Sequence, residues 1–200
     1  MEKVPPRPEL DRDAKRVFLL SLEDEQSSRL YFDEIRRRHE DRLSIIFAKH
    51  IGSAPPNVVE AARLASEQID ADEVWCLFDI EGPQHATRRP QAQAAMSRAR
   101  DLGFFCALSN PCFEYWLLMH FVNSARMYAN CTAVIHDLRQ LLPHYDKGDR
   151  CFDQLEAGIP DAIQRARVNF TTRCEAVGES VIDCNPSTQV YLLMERLLNA

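Results

Sequence analysis

The chain has 200 residues, 46% of them hydrophobic, and 30 acidic against 24 basic residues give it a net charge of −6. That length and apolar content suit one well-packed domain and exclude a disordered chain. The acidic balance excludes a protein that coats nucleic acid by bulk electrostatics, because that mode needs many Lys and Arg contacts to phosphate.

In chain order, residues 1–15, with Pro5, Pro6 and Pro8, read as an extended N-terminal arm. Arg16 to Leu22 is a continuous apolar run of buried-strand length that stops at Glu23-Asp24-Glu25. Ser27 or Ser28 is placed to cap a helix over 29–40, and Leu43 to Ala48 reads as a second strand. Helical spacing over 58–69 is followed by a third strand, Glu73 to Phe78, which runs into Asp79-Ile80-Glu81. An alanine-rich helix over 90–102 ends at Gly103 as its C′ residue, and 104–108 is the fourth strand. From Cys112 on the pattern is helical, near 112–124, 131–141, 152–172 and 187–199, with no strand expected. Strands that are apolar throughout and alternate with helices imply an α/β fold with a mostly parallel four-stranded sheet covered on both faces. The expected division is an arm (1–15), an α/β core (16–125) and a helical C-terminal part packed on it (126–200).

No apolar run approaches the roughly 20 residues that span a bilayer. The opening Met1-Glu-Lys-Val-Pro-Pro-Arg7 lacks the apolar core of a signal peptide. A cytoplasmic protein that does not enter a membrane is therefore expected. Seven cysteines, at 76, 106, 112, 131, 151, 174 and 184, form no Cys-x-x-Cys pair and sit mostly in apolar segments. They read as small buried hydrophobes, not as a disulfide framework or a zinc site.

Functional groups of open α/β sheets gather at the carboxyl ends of the strands, near a topological switch point. Side chains at i and i+2 of an extended segment share a face, so Asp79 and Glu81 are placed to converge just past the third strand. Two carboxylates so close disfavour joint ionisation unless a cation sits between them, and Mg²⁺ or Mn²⁺ is the natural occupant of such an oxygen site. Glu23 ends the first strand, and Glu114 follows the fourth in the first turn of a helix. Asn110 and Pro111 open that helix, where free N–H groups suit phosphate. Arg88 and Arg89, just beyond the carboxylate loop, are the candidate substrate cations. Arg36-Arg-Arg38 reads as a solvated helix end, and His120 as a satisfied core histidine.

A strand ending in glutamate followed by a strand ending in Asp-x-Glu resembles the TOPRIM fold of topoisomerases, primases and overcoming-lysogenisation-defect nucleases. The chain more closely resembles the RloB family, also called the AbiLii type, of bacterial phage-defence proteins. The resemblance rests on Glu23-Asp-Glu25 with Tyr31-Phe32, Trp75-Cys-Leu-Phe-Asp79-Ile-Glu81, Leu108-Ser-Asn-Pro-Cys-Phe-Glu114-Tyr-Trp-Leu-Leu-Met-His120-Phe, Tyr145-Asp-Lys147 and Asn185-Pro-Ser-Thr188. It implies a metal-dependent nuclease acting on DNA, RNA or transfer RNA in abortive-infection defence, beside an ATPase partner encoded nearby. Asp79, Glu81 and Glu23 would then be metal ligands. Glu23, Glu114 and Lys147 would be catalytic, and Asn110, Arg88, Arg89 and Asn185 substrate contacts. Two departures from the TOPRIM pattern, Asp24 in place of glycine and Glu81 in place of a second aspartate, also admit a non-catalytic binding or regulatory subunit.

Overall fold

The computed structural model describes residues 15–82 and 87–200. The expected N-terminal arm, apart from Lys15, lies outside the described residues.

Four parallel strands, β1 (Arg16–Leu22), β2 (Leu43–Phe47), β3 (Glu73–Asp79) and β4 (Phe105–Asn110), lie in the order β2-β1-β3-β4. Phe18, Leu19 and Leu20 of β1 are wholly buried, as a strand covered on both faces requires. Helices α1 (Ser27–Arg38), α2 (Pro55–Ser66) and α3 (Arg88–Asp101) make the crossovers. Parallel crossovers are right-handed, and the chain moves one way from β1 to β2 but the other way from β2 through β3 to β4. Helix α1 therefore covers one face, and α2 and α3 the other. The contacts agree: α2 packs along α3, whereas Tyr31 of α1 meets Phe113 and Trp116 edge-on, with centroids at 5.8 and 6.2 Å. The reversal falls between β1 and β3, whose carboxyl ends carry Glu23 and Asp79.

The sheet has five strands, one more than the sequence pattern indicates. β5 (Ser187–Thr188) comes from the expected all-helical C-terminal part and pairs antiparallel with Ser109 and Asn110. A two-residue polar strand has no periodicity to announce it. Ser187 and Thr188 are thus sheet residues, although Thr188 Oγ1 still accepts from Val190 N at 3.3 Å where the last helix begins.

The remaining helices are α4 (Glu114–Met119), α5 (Cys131–Leu141), α6 (Phe152–Leu155), α7 (Ile159–Arg173) and α8 (Val190–Leu198). His120 lies in the core between Tyr31 Oη (3.1 Å from Nε2) and Trp116 O (2.9 Å from Nδ1), and burial pushes its pKa down to about 4. Gly103 follows α3 with φ of 75°, a left-handed C′ position suited to glycine.

The cysteines depart from expectation. Cys112–Cys131 and Cys174–Cys184 are disulfide-bonded, each with a Cα–Cα distance of 5.5 Å, while Cys76, Cys106 and Cys151 are free. Tertiary contact brings the start of α4 against the start of α5, and the end of α7 against the loop before β5. Separations of 19 and 10 residues belong to no motif that sequence reading recognises. Among the described residues no helix is long and apolar enough to cross a membrane.

Candidate functional site

Glu23 follows β1 directly, its N–H held by Leu77 O at 3.0 Å. Its Oε2 accepts from Asp79 N at 2.7 Å and forms an ion pair with Arg88. Burial pushes the Glu23 carboxyl up to about 7, against the lowering influence of Arg88; the charge of Glu81 adds to the rise. Arg88, the first residue of α3, is itself buried, and donates from Nε to Asp79 O (2.8 Å) and from Nη1 to Ser53 O (3.2 Å). It is an internal clamp tying together the ends of β1, β3 and the loop before α2.

Asp79 ends β3. Its backbone is engaged, but its carboxylate makes no hydrogen bond or ion pair with any described residue. Burial raises its pKa well above the carboxylate range, and the nearby charges of Glu23, Glu114 and Asp24 raise it further, with Lys147 opposing. Beyond Asp79 the strand stops. Ile80 turns fully into the core and Glu81 takes φ of 64°, so strand alternation does not place Glu81. A glutamate in the left-handed region costs about 1–3 kcal/mol and persists where surrounding structure enforces it. Here Glu81 N donates to Pro111 O at 2.7 Å. At Gly82, with φ of 83°, a Cβ would lie 2.6 Å from Ala129 O. The acid-bearing loop is thereby pressed against the segment before α5.

Glu114 is fully buried at the start of α4. Its Oε1 accepts from Ser27 Oγ (2.9 Å) and Tyr145 Oη (3.3 Å) and lies 3.3 Å from Lys147 Nζ; its Oε2 lies 3.0 Å from Cys131 Sγ. Burial pulls the Lys147 pKa down, but Glu114, Asp79 and Asp24 outweigh it and leave it raised. Ser27 does not cap α1; it stands in the first turn and turns its hydroxyl to Glu114 and Tyr145.

Glu23, Asp24, Asp79, Glu81, Glu114 and Lys147 thus share one electrostatic neighbourhood at the carboxyl edge of the sheet. Three other candidates point elsewhere. Asn110 is the last residue of β4, buried, and donates to Ile182 O at 3.0 Å, so it does not open a helix. Arg89 pairs on the surface with Asp183 at 2.6 Å. Asn185 grips the Tyr128 backbone from both sides, accepting from N at 3.0 Å and donating to O at 2.7 Å. Asn185→Ala is expected to cost about 1–3 kcal/mol, since both Tyr128 backbone groups lose their partner. A denaturant melt checks this, and an unchanged midpoint would show that water replaces the amide.

Sequence reasoning missed the supports of Glu114. Tyr145 was visible only as a neighbour of Lys147, and Ser27 only as a cap.

The RloB-like protein family model matches residues 18–197. The chain belongs to the RloB-like family. The match takes in every element from β1 to α8, and with them all the acidic groups gathered here. Comparison with curated proteins and with solved structures returns no match. Among the described residues of this RloB-like chain, the acids that act on Asp79, namely Glu23, Asp24 and Glu114, bring carboxylate oxygens, the donor type that hard divalent cations prefer.

Proposed function

We propose that this RloB-like protein is a Mg²⁺- or Mn²⁺-dependent phosphodiesterase acting on nucleic acid in antiphage defence, on a TOPRIM-like sheet and together with an ATPase partner. The observation that carries the reading is the Asp79 carboxylate, which is partly buried at the strand end, crowded by Glu23, Glu114 and Asp24, and bonded to no described residue. Such a group favours a counter-charge, and a divalent cation held by Asp79 and Glu81, with Glu23 beside them, would supply it.

When bound, the cation polarises a phosphoryl oxygen and orients the attacking water. The protein's own groups divide the remaining work. Glu23, with its carboxyl pushed up to about 7, is poised to take a proton at neutral pH. Arg88 and the Asp79 N–H fix its Oε2 and so orient the other oxygen. Lys147 presents an ammonium where phosphate charge would gather, and Glu114 holds that ammonium in place.

One observation favours a second reading, a regulatory subunit that keeps the sheet without the chemistry: Arg88 already neutralises Glu23. The deciding experiment incubates the purified chain, alone and with the ATPase encoded beside it, with DNA, RNA and transfer RNA in Mg²⁺ or Mn²⁺. Strand cleavage that falls at least ~100-fold in Glu23→Gln and Asp79→Asn is expected. If wild type and both variants behave alike, the regulatory reading replaces the enzymatic one.

A further inference from the structure

Glu114 has an imbalance that the nuclease reading does not use. Its Oε1 has a hydroxyl from Ser27, a hydroxyl from Tyr145 and the Lys147 ammonium. Its Oε2 has only the sulfur of Cys131 among the described residues. Cys131 is bonded to Cys112, and a disulfide sulfur carries no proton to donate. A wholly buried carboxylate oxygen therefore faces an atom that cannot satisfy it, and burying an anion in that state is unfavourable. What belongs at that point is a thiol proton or a cation.

Once the disulfide is opened, the same atoms form a ligand set. One oxygen of Glu114 and the sulfurs of Cys112 and Cys131 lie within 4.8 Å of one another. Two thiolates with one carboxylate suit a borderline-soft divalent ion, not the hard cation proposed for Asp79. The backbone serves either state. A Cα–Cα distance of 5.5 Å lies within the disulfide range of about 4.4–6.8 Å, and two thiolates on one zinc sit roughly 3.8 Å apart, a separation that side-chain rotation supplies. Charge is also accounted for. Two thiolates and a carboxylate around Zn²⁺ leave one negative charge, and Lys147 stands beside Glu114 to balance it.

We propose that the reduced Cys112–Glu114–Cys131 cluster is a Zn²⁺ site, and that the Cys112–Cys131 disulfide is the state that excludes the metal. With a phosphine as reductant, the S–S bond breaks, each sulfur takes one proton and the phosphine leaves as its oxide with oxygen from water. Zinc then displaces the two thiol protons. This proposal does not depend on nuclease activity, and its readout is separate from it.

The test is a Co²⁺ titration of the full chain, before and after phosphine reduction, followed by displacement with Zn²⁺. Thiolate-to-cobalt charge transfer in the near ultraviolet reports sulfur coordination. The expected result is a charge-transfer band that reports one equivalent of sulfur-bound Co²⁺ in the reduced chain and is lost on Zn²⁺ addition, and no such band in the oxidised chain, where any Co²⁺ at the Asp79 carboxylates is silent in this region. Cys112→Ser and Cys131→Ser should abolish the band, Glu114→Gln should weaken binding by at least ~10-fold, and Cys151→Ser should leave it unchanged. The Cys112 variant also separates this site from the thiols released at Cys174 and Cys184, and melting curves show whether each variant is folded. A reduced wild-type chain without the band, or a folded Cys112→Ser variant that keeps it, overturns the proposal.

Discussion

Replacing Asp79 by Asn is expected to raise the melting temperature of the metal-free protein, by roughly 2–8 °C for a gain of about 1–2 kcal/mol. Burial and the charges of Glu23, Glu114 and Asp24 outweigh the opposing Lys147 and hold the wild-type carboxyl well above its ordinary range. A carboxyl whose folded pKa exceeds its unfolded one binds more protons folded than unfolded, so stability falls as pH rises between the two values. Glu23 adds to the same slope between its ordinary value of 4.5 and about 7. The metal-free wild type should therefore lose stability from about pH 4.5 to pH 7, and Asp79→Asn should flatten that loss. Saturating Mn²⁺ should restore the wild type at pH 7, by about 2.7 kcal/mol at a hundredfold excess over Kd, and should do little for the variant. Thermal melts across this pH range, with and without Mn²⁺, measure all of this. A fall in the variant's melting temperature would mean that the carboxylate is a satisfied structural group.

Arg88→Ala has the opposite expected sign. Arg88 is buried, neutralises Glu23 and donates to the carbonyls of Asp79 and Ser53. Its removal leaves a mostly buried acid without its cation, a change that costs on the order of 3–5 kcal/mol, or roughly 6–20 °C of melting temperature in a chain of this size. Raising the pH from 5 to 8 should deepen the defect, because the abandoned Glu23 is then driven to ionise. Arg89→Ala is the matched control. Its ion pair with Asp183 is exposed, and such pairs contribute about 0–1 kcal/mol. If Arg88→Ala melts like wild type and loses only affinity for nucleic acid, Arg88 contacts substrate and does not clamp the site.

These expectations show where the chain speaks for itself and where it does not. β1 was legible to the residue, since Arg16 to Leu22 is apolar almost without interruption and ends in acids. Helix alternation announced parallel strands, but their order, and with it the switch point between β1 and β3, rests on the tertiary pairing. β5 was not legible, because two polar residues acquire a strand's geometry only by pairing with Ser109 and Asn110. Arg88 and Arg89 look alike in sequence; one is buried and the other exposed because only the first turn of α3 at Arg88 faces Glu23. Strand alternation set Asp79 and Glu81 on one face, yet the chain leaves the sheet at Asp79 and places Glu81 through a left-handed turn. The pairing of Cys112 with Cys131 depends on how α4 meets α5, which no local spacing encodes.

The most direct test of the central claim, that acids from separate strands hold one divalent cation at the switch point, is calorimetric titration of Mn²⁺ into the oxidised chain. In that state the cysteine cluster is closed to metal. One Mn²⁺ per wild-type chain is expected, with affinity reduced at least ~10-fold in Asp79→Asn and retained in Cys131→Ser. No binding by the wild type, or equal binding by Asp79→Asn, would contradict it.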